Sequence, residues 1–419
     1  MTEINHKAAV LGLLAMAFAG TMVAQEGPVP RGVPHLDHVF VIMMENHGYS
    51  QIVGNPNAPF TNRFARSANT ATNYFAVAHP SLTNYLEVVG GSNFGVHSDN
   101  DPDWHNASCT PDIVAKTVNT DTPASPSICP IAGTGTDAET PAIDYTNETQ
   151  GPPGNINVDG RVSFAAAGTV GKSIGDQLAE AHRTYKSYQE SLPIGGADLI
   201  TYSDGFFTNL TDFSTILPVL NPPLTQGNVV KLYAAKHNPF VYFQSTQEGT
   251  SRRNSLKNSV GFETLYADLG SGNVPSYSFI APNQCNDQHG RGNAGAFCNF
   301  DPVSDGTQAG LNPALIQQGD VTVQRLVTAI HKSPAWREGK NAIVLLWDEN
   351  DYSLAPNTNQ VLTVVDTNYG VHRAHSARFY THFSVLKSIE SGLGLPCLNH
   401  ACDANVDVMS DLFRGRGDD

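Results

Sequence analysis

The chain has 419 residues, 40% hydrophobic and only 15% charged, which is enough to bury a sizeable core and too apolar for a mostly disordered polymer. Lys and Arg total 24 against 39 Asp and Glu, a net charge of -15 that argues against a nucleic-acid binder with its basic face. An anionic substrate stays open, because a bound cation can reverse the local field.

Lys7 and the short apolar run AAVLGLLAMAFAG (8–20) read as a signal peptide over 1–24, cleaved after Ala19 or Ala24. The competing reading is a buried first helix. The run is too short for a membrane span, and no other stretch reaches the roughly 18 apolar residues that a span needs. The mature protein is thus expected to be secreted or periplasmic. The six cysteines agree: Cys109, Cys129, Cys285, Cys298, Cys397 and Cys402 fall as three sequence neighbours, which favours disulfides between neighbours. Zinc binding is the rival, weakened because no pair has C-x-x-C spacing.

In chain order, HVFVIMM (38–44) is apolar on both alternations and reads as a central strand. Residues 102–171 are rich in Thr, Asp, Pro and Gly and read as a loop-rich insertion in one domain spanning 36–415. Residues 174–190 carry apolar and aromatic residues at helical spacing. NPFVYFQ (238–244) is a weaker strand candidate, YSFIA (277–281) a third strong strand, 321–332 a helix, AIVLLW (342–347) a strand and 383–393 a helix. Strands alternating with helices predict an α/β fold with a doubly wound, mostly parallel sheet.

The strand ends carry the chemistry. The first strand runs into Glu45-Asn46, and the 342–347 strand runs into Asp348-Glu349, with Asp351 close behind. In an open α/β sheet ligands bind beyond the carboxyl ends of strands. Two acidic ends can therefore converge on a divalent cation; oxygen donors suit Ca, Mg or Mn, with Zn possible. The bland alternative is helix capping or a solvated loop. In AVAHPSLTNYLEVVGG (76–91), Ser81 falls at a helix start, where free N–H groups favour a phosphate; its alternative is a simple N-cap. Asn84 is a phosphate donor or a helix-surface residue. His289 follows the third strand, again at a carboxyl end. Among the other histidines, His47, His97, His105, His372 and His375 are weaker candidates.

The ordered segments VIMMENHGYSQIVG, NYFAVAHPSLTNYL, SYSFIAPNQCNDQHG, AIVLLWDENDYS and THFSVLKSIESGLGLP resemble the motif series of the phosphoesterase family, which contains secreted acid phosphatases and bacterial phospholipases C and is similar to the alkaline phosphatase superfamily. The resemblance implies an alkaline-phosphatase-like fold and a hydrolase acting on phosphate esters of small molecules or phospholipid headgroups. It makes Glu45, Asn46, Asp348 and Glu349 metal ligands and Ser81 a metal-activated nucleophile. His289 and His382 would assist the phosphoryl or leaving group, with His79 and Asn84 binding substrate. Two departures from the family pattern stand out. Thr83 replaces the second proline of H-P-S-x-P-N-Y, and Asn350-Asp351-Tyr352 replaces the glycine-rich segment typical of the phospholipases. The second favours the acid-phosphatase branch. A phospholipase C-type diesterase, a non-catalytic phosphate-binding protein and a serine esterase are the alternatives, the last lacking a G-x-S-x-G elbow at Ser81.

Overall fold

The computed structural model describes residues 26–79, 81–94, 171–192, 232–243, 245–246, 249, 251–290, 298, 313–350 and 359–415. The expected leader, nearly all of the 102–171 insertion with Cys109 and Cys129, His97, His105 and Asp351 lie outside these residues.

The strands are β1 (His38–Met44), β2 (Asn69–Ala71), β3 (Tyr74–Phe75), β4 (Tyr185–Gln189), β5 (Ser259–Gly261), β6 (Tyr277–Ala281), β7 (Asn341–Trp347), β8 (Thr363–Thr367), β9 (His375–Ser376) and β10 (Tyr380–Thr381). The helices are α1 (Tyr49–Ile52), α2 (Pro59–Ser67), α3 (Ser81–Gly90), α4 (Ile174–Glu180), α5 (Phe262–Ser271), α6 (Pro313–Lys332) and α7 (His382–Leu393).

Eight strands form one sheet in the order β5-β4-β6-β1-β7-β8-β2-β9; β3 and β10 form a small parallel pair. From β5 to β7 all neighbours are parallel, and β8 is antiparallel to both β7 and β2. The protein is thus α/β with a mostly parallel sheet flanked by helices, as expected. β1 sits in the middle because Val39 to Met44 is apolar on both faces and wholly buried. The helices form two groups: α3 packs on α7 and α4, and α6 packs on α2 and α5.

Two elements differ from the sequence expectation. The helix expected over 174–190 stops at Glu180, the chain turns through His182 at φ 58°, and YKSYQ becomes β4. Helical spacing misled because tyrosines three apart share a helix face, yet in a strand covered on both sides they are buried on opposite faces; pairing with both β5 and β6 decided for the strand. The weak strand at 238–244 is instead a 3₁₀ turn, Pro239–Tyr242, following another at Ala235–His237. Pro239 has no N–H for a ladder but suits the first turn of a helix. The helix expected at 321–332 starts earlier, at Pro313.

Disulfides join Cys285 to Cys298 and Cys397 to Cys402, the neighbour pairing expected for those four cysteines. No helix among the described residues is long and apolar enough to cross a membrane.

Candidate active site at the carboxyl rim of the sheet

Three adjacent strands, β6, β1 and β7, end side by side. Register does this: Met44 of β1 lies opposite Trp347 of β7, so the next residues, Glu45 and Asp348, emerge together. The ladder continues one step beyond the strands. Asp348 N–H donates to Met44 O (3.0 Å), and Glu45 N–H donates to Asp287 O (2.9 Å). Main-chain bonds therefore fix all three acidic segments, Asp287 from the loop that follows β6.

α3 delivers the hydroxyl. Ser81 is its first residue and is buried. Its Oγ–H has two carboxylate acceptors, Glu45 Oε2 and Glu349 Oε1, each at 3.1 Å. One turn on, Asn84 Nδ2 donates to Glu349 Oε2 (3.2 Å) and to Ala78 O (2.8 Å). Asn84 Oδ1 accepts the N–H groups of Val77 and Ala78. Asn84 thus holds the 77–78 approach to the helix as well as a carboxylate. His79 Nδ1 lies 2.7 Å from Glu349 Oε2, with the imidazole wholly buried.

The expected residues do not all play alike. Glu45, Asp348, Glu349, Ser81, His79 and Asn84 come together. Asn46 is half-buried at the end of β1, and its side chain makes no hydrogen bond among the described residues. His289 is half-buried on the loop after β6; its Nδ1 contacts Gly290 O at 2.9 Å. His382 is wholly buried, with Nδ1 2.8 Å from Tyr74 Oη and Nε2 2.6 Å from Asp348 O. Both ring nitrogens are therefore engaged, and burial pushes the imidazole down to about 4. The geometry departs from a direct encounter between His382 and substrate and makes it a brace for Asp348.

Sequence reasoning missed Lys236, His237 and Asp287. His237 Nε2 is 2.9 Å from Glu45 Oε1, its Nδ1 is 3.3 Å from Asp287 Oδ2, and its ring stacks on Tyr85 with centroids 5.2 Å apart. Burial works against a charged His237, but Glu45 and then Asp287 outweigh it and lift the imidazole to about 10. Burial likewise works against an ionised Glu45; His237 and Lys236 overcome it and hold that carboxyl well below its usual range. The KHNPF turn gave no signal, since it lies far from any strand end in sequence. Asp287 had one: it stands two residues before His289 in NDQHG.

Asp348 is under-compensated, with Lys236 too weak a counter-charge to offset burial and its acidic neighbours. It is wholly buried, and neither carboxylate oxygen has a hydrogen-bond partner. Burial first, then Glu45 and Glu349, drive it well above the usual carboxylate range. A buried anion in such company calls for a cation. The donor set of carboxylates plus the Asn46 amide is chemically suited to a hard divalent ion. Among the described residues, however, no three His, Cys, Asp or Glu side chains are set up as a ready-made metal centre. The reason is visible in the contacts, since Glu45 and Glu349 direct oxygens at His237, His79 and Ser81.

The chain is similar to several known proteins. A phosphatidylinositol-3-phosphatase of Mycobacterium tuberculosis is 24% identical over 419 residues, covering 99% of this chain and 96% of the relative. An acid phosphatase of Aspergillus fumigatus is 23% identical over 369 residues, covering 88% of this chain and 57% of the relative. A phosphate-repressible acid phosphatase of Penicillium chrysogenum is 24% identical over 373 residues, 88% of this chain and 62% of the relative. The chain thus spans about three fifths of these fungal relatives' length. Among solved structures, a phosphonate monoester hydrolase of Agrobacterium radiobacter aligns with 11% identity and a TM-score of 0.44 over 90% of this chain and 77% of that one. The family model described as "Phosphoesterase family" matches residues 55–298, more than half of the chain. The chain therefore belongs to the phosphoesterase family and is a hydrolase acting on phosphoric esters.

Proposed function

We propose that the protein is an exported, metal-dependent phosphatase of the acid-phosphatase type, cleaving phosphate monoesters through Ser81. The observation that carries this reading is the position of the Ser81 hydroxyl, at the first residue of α3 and 3.1 Å from both Glu45 and Glu349. The relatives named acid phosphatase and phosphatidylinositol-3-phosphatase support the monoester substrate. Export is supported by the signal-like 8–20 run and by paired cysteines, which persist in oxidising compartments.

Glu45, Asn46, Asp348 and Glu349 would hold the divalent ion, whose chemistry is to lower the pKa of the serine hydroxyl and neutralise phosphoryl charge. The protein's own groups supply the rest. The positive end of α3, which begins at Ser81, favours the phosphoryl oxygens. Ser81 Oγ attacks phosphorus in line with the leaving oxygen, and its proton has carboxylate acceptors at 3.1 Å. His289, half-buried and closer to solvent, protonates the departing alkoxide. His79 and Asn84 hold Glu349 in place, and His382 holds Asp348 through its main-chain oxygen. Water then hydrolyses the phosphoserine and regenerates the hydroxyl.

Ser81→Ala tests this. The variant should keep its fold and thermal midpoint and lose about 10³-fold or more of kcat on p-nitrophenyl phosphate. Retention of most of the activity removes Ser81 from the role. A diesterase on the same site is the second reading, favoured by nothing in the contacts, and p-nitrophenyl phosphorylcholine as substrate separates the two.

A further inference from the structure

Lysine is almost never fully buried unless something charged requires it. Lys236 is 2% exposed, on the 3₁₀ turn Ala235–His237 beside the imidazole that grips Glu45. Its Nζ lies 3.5 Å from His289 Nε2, and its charge acts on both Glu45 and Asp348. Burying a rotamer-rich ammonium costs desolvation and entropy, so its value must lie in what it faces.

It faces the acidic rim together with His289. Lys236 Nζ donates toward His289 Nε2 across 3.5 Å, so an oxygen that reaches His289 also comes within range of the ammonium. The ester substrate would offer such an oxygen. A monoester presents three non-bridging oxygens and two negative charges; a diester presents two oxygens and one charge. A cation and the α3 N-terminus serve two oxygens readily. The third oxygen, present only in the monoester, needs a further donor of fixed position and positive charge.

We propose that Lys236 contacts the transferring phosphoryl group and sets the preference for monoesters over diesters. The proposal rests on the phosphatase reading above and gives it a substrate-determining residue. In the transfer step the Ser81 Oγ–P bond forms as the P–O bond to the leaving alcohol breaks. The serine proton goes to a carboxylate, and the leaving alkoxide takes its proton from His289. Lys236 stays protonated throughout and contributes charge and a hydrogen bond alone. A fixed charge at the reacting group acts mainly on the transition state.

The test compares kcat/KM for p-nitrophenyl phosphate and bis-p-nitrophenyl phosphate in the metal-loaded full chain and in K236M, K236Q and K236R, with thermal midpoints measured for each. Both activities should fall in K236M, the monoester by at least about tenfold more than the diester, collapsing the ratio. K236R should recover part of the ratio. The inhibition constant of inorganic phosphate should rise about tenfold or more in K236M. If Lys236 only balances buried carboxylates, both esters fall by the same factor and phosphate inhibition is unchanged; either result overturns the proposal. K236Q carries the same expectations if K236M does not fold. A wild-type enzyme that cleaves neither ester overturns the phosphatase reading, and this proposal with it. A wild-type enzyme active on the monoester, with equal losses in the variants, overturns the role of Lys236 alone.

Discussion

At Asp348, a carboxylate with neither oxygen hydrogen-bonded lies buried beside Glu45 and Glu349. Removing a charge there relieves desolvation and repulsion, whereas removing it from a loaded site deletes a ligand. Asp348→Asn should therefore stabilise the chelated protein by about 1–3 kcal/mol and destabilise the metal-loaded one, with activity lost. Thermal melts with and without chelator check the change of sign. Equal effects in both states would mean that Asp348 never meets a cation. His382 works on the same residue from behind. Buried and neutral, it connects Tyr74 to the Asp348 main chain.

The 283–290 loop shows how an element can hold a site it does not contain. Gln288 adopts φ 85°, an unusual conformation for a residue with a side chain. It is held there from two sides: Trp347 Nε1 donates to its Oε1 (3.0 Å), and its Nε2 donates to Ile316 O of α6 (3.0 Å). The fit is possible because Gly319 faces it; a Cβ at 319 would collide with the Gln288 side chain. Gly319→Ala should cost about 1–3 kcal/mol and lower activity by shifting Asp287 and His289, measured by denaturant titration beside a phosphatase assay. A variant as stable and active as the parent would show that the loop is not registered by α6.

α7 contains a different strain. Glu390 is buried; one oxygen accepts the Leu398 N–H (2.9 Å), and the other has no hydrogen-bond partner. Burial pushes this carboxyl well above its usual range. The folded state thus keeps a proton that the unfolded chain releases above about pH 4.3. Stability from this group is full below that pH and falls as pH rises toward the folded pKa, by about 1.4 kcal/mol per unit. Glu390→Gln lacks this titration. Its advantage over the wild type should therefore widen from about pH 4.5 upward, in melts across pH 4–8. A gap that stays constant with pH would place the ionised form in the folded protein.

Across the whole molecule, the site is drawn from distant parts of the chain. Four carboxylates, Glu45, Asp287, Asp348 and Glu349, meet with His79, His237, His289 and Lys236 at the carboxyl ends of three central strands. The sheet itself is held by burial of β6, β1 and β7 on both faces, independent of any ion. Chelation should therefore abolish phosphatase activity while leaving the fold intact, and re-addition of one divalent metal should restore activity. Saturation at about 100 times its Kd should add about 2.7 kcal/mol of stability. Activity that survives exhaustive chelation, with no metal found by elemental analysis, would exclude metal dependence.

The central strands, the mostly parallel α/β sheet and the acidic residues at the ends of β1 and β7 were legible from the sequence. Apolar runs must be covered on both faces, and polar residues that interrupt them must emerge at a rim. The helix at Ser81 was legible too, from the spacing after His79-Pro80. The 174–190 segment was not, because its tyrosines stand at helical spacing and only pairing with β5 and β6 makes the strand. Nor were Lys236 and His237, whose roles come from contact across the fold: the turn that carries them packs on α3, with His237 against Glu45 at the end of β1. His382 is a motif residue whose place became clear only when both ring nitrogens were found engaged. Local pattern fixes which groups face inward, but the pairing of charges inside is a matter of distance, and distance between remote segments exists only once the chain has packed.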